Sequence, residues 1–378
     1  MLKFGVIGYG GRIGGIVDRL IKSGEATLVA VADIDIPGAK SRADAKNYTD
    51  VRFYEDAEEM LKTEQLDGVL IGTRCSTHTK YALLVAKYDL PLFLEKPVCI
   101  VEEDLARLES IVPTMDTKTV VSFPLRTTPL LLRVKEIVDS GKLGTVEHIQ
   151  AYNNVPYARG YYHKWYRDEK ETGGLFLQKA THDLDYINFL LGDNRPVRIA
   201  ATKSKQIFKG NEPAGKLCAD CEKQKTCPES PRNVLKNGDG YAIGPYCCFA
   251  VDTGNEDSGS ALVEYESGMH VVYSQNFIAR NGAGKRGARL FGFKATLEFD
   301  WVTSTIRIFH HQENTSEEIK MTVPAHGHGG GDEMLVANFL EVMKGEKPSI
   351  APLTEGILSA KMCLAARRSS EEHVFVEL

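Results

Sequence analysis

The opening of this chain constrains its fold most. A short apolar run, Lys3–Ile7, breaks into the glycines of Gly8-Tyr9-Gly10-Gly11-Arg12-Ile13-Gly14 and then into a segment with one apolar stripe. Ile13, Ile16, Val17, Leu20 and Ile21 recur at the spacing of a helix that buries one side. A strand that turns through glycines into a helix gathers backbone N–H donors and the positive end of the helix dipole at one point. That point suits a pyrophosphate. Thr27–Ala32 reads as a second strand covered on both faces, and it ends at Asp33. A carboxylate there accepts from both ribose hydroxyls of NAD and repels the 2′-phosphate of NADP. Gly8, Gly10, Gly11, Arg12, Ile13 and Asp33 are therefore the predicted cofactor residues, with NAD preferred to NADP. The strict G-x-G-x-x-G pattern needs glycine at Ile13; Gly8, Gly11 and Gly14 fit G-x-x-G-x-x-G instead. The competing reading is a glycine turn of another α/β fold, with Asp33 as a cap.

Alternation continues through the first third of the chain. Strands are expected at Val51–Tyr54, Gly68–Thr73, Pro91–Leu94 and Thr119–Phe123, with helices at Asp56–Lys62, Thr77–Tyr88 and Glu102–Ile111 between them. This order specifies a parallel sheet wound on both faces. After Phe123 the pattern changes to longer β runs: Val146–Tyr152, Ser260–Glu266, Met269–Phe277, Lys294–Phe299 and Thr305–His310. Helical stretches at Gly174–Leu191, Asp332–Met343 and Thr354–Ser369 accompany them. The predicted class is α/β: a Rossmann domain over 1–123, then an α+β domain over 124–378 with a large, mostly antiparallel, open-faced sheet. A polar, Cys-containing insertion is expected at about 212–248, and the C-terminal helices are expected to pack back on the first domain.

Charge narrows the partners. With 46 basic and 51 acidic residues the net charge is -5, which argues against nucleic acid or an anionic membrane surface. No run approaches the roughly 20 apolar residues of a membrane span. The chain enters its first strand without a charged and apolar leader, so a cytoplasmic location is expected.

The fifth strand runs straight into Glu95-Lys96-Pro97. Open α/β sheets bind ligands at the carboxyl ends of their strands, and the proline biases Lys96 toward extended backbone. Thr73 and His78 follow the fourth strand and Arg126 the sixth; Gly173-Gly174 leads to His182, and His328 to Asp332 precedes a helix. In this order the pieces resemble the Gfo/Idh/MocA family, the glucose–fructose oxidoreductases and inositol dehydrogenases, over nearly the whole chain. The resemblance implies that Lys96 lies near the nicotinamide, orients the substrate hydroxyl and shares its proton. It also implies that His182 is the general acid–base, with Lys179 beside it on one helix face. Thr73, His78 and Glu95 join the cofactor set. Arg126, Tyr162, His163, Trp165, Asp183 and His328 are the expected substrate contacts. Read without the resemblance, Lys96 is a solvated lysine after a strand, and Lys179 and His182 lie on a solvated helix face. The aromatics either stack on a sugar or pack a domain interface. Polyol dehydrogenases of the family carry Asp four residues before this His, where Gln178 stands here. Gln cannot exchange a proton, so any relay shifts to Lys96, Lys179 or Asp183.

The expected activity is NAD-dependent hydride transfer at a secondary hydroxyl of a sugar, polyol or glycoside, by a homo-oligomer, dimer or tetramer. Two alternatives stand beside it: a glycoside hydrolase working by transient oxidation and elimination, and a non-catalytic nucleotide-dependent binding module. Cys218, Cys221, Cys227 and Cys247 (or Cys248) can supply four thiolates. Structural zinc, an iron–sulfur site, reduced thiols and loop-stapling disulfides all remain open for them.

Overall fold

The computed structural model describes residues 1–236, 243–324 and 327–378. Residues 237–242 of the expected insertion lie outside the described residues. The chain divides into two units: Met1–Leu132 with Val323–Lys361, and Arg133–Thr322 with Met362–Leu378.

In the first unit, β1 (Leu2–Ile7), β2 (Ala26–Ala32), β3 (Arg52–Tyr54), β4 (Gly68–Ile71), β5 (Leu92–Leu94) and β6 (Thr119–Val121) pair in the order β3-β2-β1-β4-β5-β6. All of these pairings are parallel. This is the doubly wound order whose direction reverses beside β1, where such sheets bind ligands. Helix Gly11–Lys22 buries Ile13, Ile16, Val17 and Leu20, the stripe read from the sequence. The helix Ile36–Asp44 gave no such stripe. It depends on local chemistry: Asp35 caps it by accepting from Gly38 N at 3.0 Å, and a proline stands in its first turn. Helix Gly331–Lys344 belongs to this unit, and Phe339 meets Phe93 of β5 edge to face at 5.7 Å.

The second unit carries nine strands: β7 (Val146–Asn154), β8 (Pro196–Ser204), β9 (Ser258–Tyr265), β10 (His270–Asn276), β11 (Lys285–Gly292), β12 (Ala295–Asp300), β13 (Thr305–His310), β14 (Ser316–Lys320) and β15 (Val376–Glu377). Their order is β14-β13-β12-β11-β7-β10-β9-β8-β15. Among the described residues of this sheet, only the β7–β10 pairing is parallel; the rest are antiparallel. One face is covered and one open. In β10, Val271, Tyr273 and Gln275 are buried while Val272 and Ser274 are exposed. Helix Thr181–Leu191 lies on the covered face, where Tyr186 donates to Gly287 O at 3.2 Å and Asn188 accepts from Tyr265 at 2.9 Å. The insertion is closed at its base by the Leu217–Tyr246 bridge. Among the described residues, no helix is long and apolar enough to cross a membrane.

Candidate active site

The glycine turn is built for close approach. Gly8 has φ 79°, and a Cβ there would lie 2.5 Å from Thr73 Cγ2 and 2.7 Å from Thr73 N. Only glycine fits, so Thr73 sits against the turn. The departure at Ile13 is resolved by a residue far along the chain. Gly72, at the end of β4, takes the close contact: a Cβ on it would stand 2.4 Å from Ile13 Cβ. Ile13 is a buried packing residue. Helix Gly11–Lys22 begins after Gly10 with no side chain capping it, and a Cβ on Gly11 would meet nothing within 4 Å. Backbone donors therefore face open space at the positive end of a helix. Asp33 is oriented from both sides: its Oδ2 accepts from Tyr9 N at 2.7 Å and its Oδ1 from Asp35 N at 2.9 Å. A helix start for a pyrophosphate and a fixed carboxylate for a ribose together fit a dinucleotide.

Behind the turn, Arg12 ties three distant segments of the same unit together. Its Nη1 and Nη2 donate to the two carboxylate oxygens of Asp332 at 2.9 and 2.7 Å, and Nε lies 3.0 Å from Glu95 Oε1. Ser122 accepts from Arg12 at 2.9 Å and donates to Glu95 at 3.0 Å. His328 Nδ1 lies 3.0 Å from Asp332. Burial pushes the Asp332 carboxyl up, but His328 and Arg12 outweigh it and hold it well below the usual carboxylate range. Glu95 and Arg12, expected at the cofactor itself, thus bind each other and fix the Glu95-Lys96-Pro97 segment to the glycine turn. His328, expected on the substrate, is engaged with Asp332. His328 to Gly330 all have positive φ, and a Cβ on Gly331 would lie 1.9 Å from Pro124 O, which explains the glycine run.

Lys96 follows the end of β5 and is half-buried. Beside it His78 is fully buried, with Nδ1 2.7 Å from Pro97 O and Nε2 3.3 Å from Thr73 O. Burial lowers its pKa and favours the neutral ring, which donates from one nitrogen, the shorter contact being that to Pro97 O. Arg126, another expected substrate contact, is buried and donates to Ile350 O at 3.1 Å and Glu355 at 3.2 Å. It anchors the start of helix Leu353–Glu372 within the unit.

In the second unit, Gly173 and Gly174 (φ 76° and 89°) lead into a π-helical turn, Phe176–Ala180, which runs on into helix Thr181–Leu191. Glu256 accepts from Leu175 N at 3.2 Å and from Phe176 N at 3.1 Å, which pins the entry. The wider turn breaks the α spacing assumed from sequence. Gln178, Lys179 and His182 are each 7% exposed, not on a solvated face. Lys179 Nζ donates to the Tyr157 hydroxyl at 2.9 Å and lies 4.6 and 4.9 Å from the ring centres of Tyr157 and Tyr161. Asp183, expected on the substrate, is fully buried and committed. Its Oδ1 accepts from Arg286 Nε at 2.8 Å, and its Oδ2 from Asn153 at 2.8 Å and Tyr273 at 2.9 Å. Burial pushes the Tyr157 phenol up, but the Lys179 ammonium and the Arg286 guanidinium outweigh it and bring it below the usual tyrosine value.

The aromatic stretch is placed differently from expectation. Tyr162 is fully buried, donates to Glu256 O at 2.7 Å and packs its ring 4.1 Å from that of Phe208. His163 is fully buried with Nδ1 2.7 Å from Tyr246 O. Trp165 stacks on Tyr166 at 3.9 Å. Tyr162 is thus part of a core cluster, and His163 meets the insertion at Tyr246. Tyr157 and Arg286 were missed. Their partners, Lys179 and Asp183, lie 22 and 103 positions away in the chain, and no local spacing signals them.

Of the readings open for the cysteines, the metal one finds no support. All eight cysteines are reduced thiols, and among the described residues no group of three or more His, Cys, Asp or Glu is arranged to hold a metal. Backbone pairing buries Cys218 and Cys247 together against Ala250. Burial pushes the Cys218 thiol up to about 11, which disfavours the thiolate a metal needs.

Fold and cradle together define an oxidoreductase with an NAD-binding Rossmann domain. Residues 2–123 match the family described as an oxidoreductase family with NAD-binding Rossmann fold, and residues 131–298 match its GFO/IDH/MocA C-terminal domain. The chain belongs to the Gfo/Idh/MocA oxidoreductases. It is 28% identical over 326 residues to the Bacillus subtilis protein named oxidoreductase YteT, covering 76% of this chain and 75% of that one. It is 30% identical over 215 residues to inositol 2-dehydrogenase of Rhizobium meliloti, covering 57% of this chain and 62% of that one. In fold it resembles a levoglucosan dehydrogenase solved with NADH and levoglucosan, with a TM-score of 0.77 at 15% identity. That match covers 100% of this chain and 99% of the other.

Proposed function

We propose that this chain reversibly oxidises a secondary hydroxyl of a sugar, polyol or glycoside, with NAD taking the hydride. The observation that carries the reading is the pairing of buried Lys179, three residues before His182, with the half-buried Tyr157 hydroxyl, on a domain of this family. Such a set of groups suits the movement of a hydroxyl proton. The names of the relatives, inositol 2-dehydrogenase among them, support the substrate class.

When bound, NAD supplies a hydride acceptor. The turn from Gly8 to Ile13 holds its pyrophosphate and Asp33 its ribose, while Thr73 keeps the turn narrow. Lys96 orients the substrate hydroxyl and stabilises negative charge as it develops on that oxygen. His182 hydrogen-bonds a hydroxyl of the substrate. Gln178 orients without exchanging protons. The test is a panel of sugars, polyols and glycosides with the purified full-length chain and NAD. Steady NADH formation with one class supports the proposal. Aglycone release without net NADH would reassign the reaction to elimination, and tight NAD binding with no turnover would overturn it.

A further inference from the structure

We propose that Tyr157 is a catalytic residue of this chain, its phenol oxygen exchanging the proton of the substrate hydroxyl while Lys179 holds it in place. This rests on the dehydrogenase reading above and deepens it.

The geometry begins with a buried ammonium. Lys179 is 7% exposed, and a charge so placed needs a partner. The carboxylate of the same cluster is already spent, because Asp183 is saturated by Arg286, Asn153 and Tyr273. What Lys179 meets instead is the Tyr157 hydroxyl at 2.9 Å, with the ring of Tyr161 on its other side. Tyr157 is half-buried, its ring packed against the cluster of Val155, Ala158 and Tyr162. Lys179 faces it from the π-helical turn, Arg286 from β11, Asp183 from the following helix and Tyr161 from its own segment.

Two cations against one carboxylate favour the phenolate. The contrast within the unit is sharp: burial pushes the phenols of Tyr162, Tyr186, Tyr265 and Tyr273 up, whereas that of Tyr157 is drawn down. In the oxidation direction, the Tyr157 phenolate takes the hydroxyl proton as the carbon–oxygen double bond forms. The hydrogen on that carbon leaves with both electrons of its bond to reduce NAD. The phenol then releases its proton to water, and in the reduction direction it donates that proton to the new alkoxide. Oxidation therefore speeds up as pH rises through the ionisation of Tyr157, and reduction slows.

Two readouts on the full-length protein test this. Ultraviolet titration of tyrosinate needs no substrate. The wild type should show one tyrosine ionising below the ordinary range. Tyr157→Phe should remove it, Lys179→Met should move it up, and Lys179→Arg should keep it. A low-ionising tyrosine that survives Tyr157→Phe overturns the proposal. In steady state, Tyr157→Phe should lower kcat for oxidation roughly 10²-fold and abolish its rise with pH, with NAD affinity unchanged and a modest fall in thermal melting because Lys179 loses that hydroxyl. If a sugar is oxidised and Tyr157→Phe matches the wild type, the Tyr157 role falls while the dehydrogenase reading stands. If the titration behaves as expected but no sugar is oxidised, the pair is supported and the substrate class falls.

Discussion

Two buried charge clusters, one in each unit, use similar residues to opposite ends. Around Arg12, one guanidinium meets two carboxylates, Glu95 and Asp332, with Ser122 and His328 completing the bonding. Around Lys179 and Arg286, two cations meet one carboxylate, Asp183, and the surplus positive charge falls on a phenol. In the first cluster the ionic forms of Arg12 and Asp332 are stabilised by each other, and the result is a brace that fixes the glycine turn. In the second, one phenol is drawn below its ordinary ionisation range. The balance of charge separates scaffold from chemistry.

The largest expected effect lies outside both clusters, at the residue that the first one positions. Lys96→Ala should lower oxidation about 10³-fold while leaving NAD affinity, measured by equilibrium titration, within a few-fold. A matching loss of affinity would move Lys96 from the chemistry to the cradle. Next comes Arg286→Met, which strands Asp183 as a buried unpaired carboxylate. Urea unfolding of the full chain should show a loss of about 3–5 kcal/mol. The ionisation of Tyr157 should move up at the same time. Asp332→Asn sharpens the contrast. It should cost less, roughly 2 kcal/mol, because Arg12 keeps Glu95, and it should weaken NAD binding while leaving the tyrosine titration untouched.

The pH dependence follows in sign. The folded-state pKa of Asp332 is depressed, so its contribution to stability is complete above its unfolded value, about 3.9, and is lost as pH falls toward the folded one. Asp332→Asn should flatten that acid limb of stability. The smallest effect belongs to Asp33. Asp33→Ser should improve NADP relative to NAD roughly tenfold, about 1.4 kcal/mol, in paired cofactor titrations.

Much of the first unit was legible because its code is local. The apolar stripe of Gly11–Lys22, the strand ending at Asp33 and the glycine turn all lie within a few dozen residues. What escaped there was held by distance: Gly72 supplying the close contact at Ile13, and Asp332 reaching Arg12. The second unit was legible as β-rich but not in detail. β11 interrupts its apolar pattern with Lys285, Arg286, Gly287 and Arg289, and β14 is a polar edge strand with no burial signature. The site fared likewise. Lys179 and His182 were marked by the run after Gly173-Gly174, but the π-helical turn that buries them has no sequence period of its own. Stacking on a sugar and packing stayed equally open for the run around Tyr162 and His163, because composition does not tell a ring in the core from one at the surface; the structure buries both residues.

One measurement tests the assignment most directly. A secondary alcohol substrate carrying deuterium on the carbinol carbon is incubated with the full-length chain and NAD, and the reduced cofactor is examined by mass spectrometry. Deuterium in each NADH formed is the expected result. Reduced cofactor without label, or product without reduced cofactor, contradicts hydride transfer from that carbon.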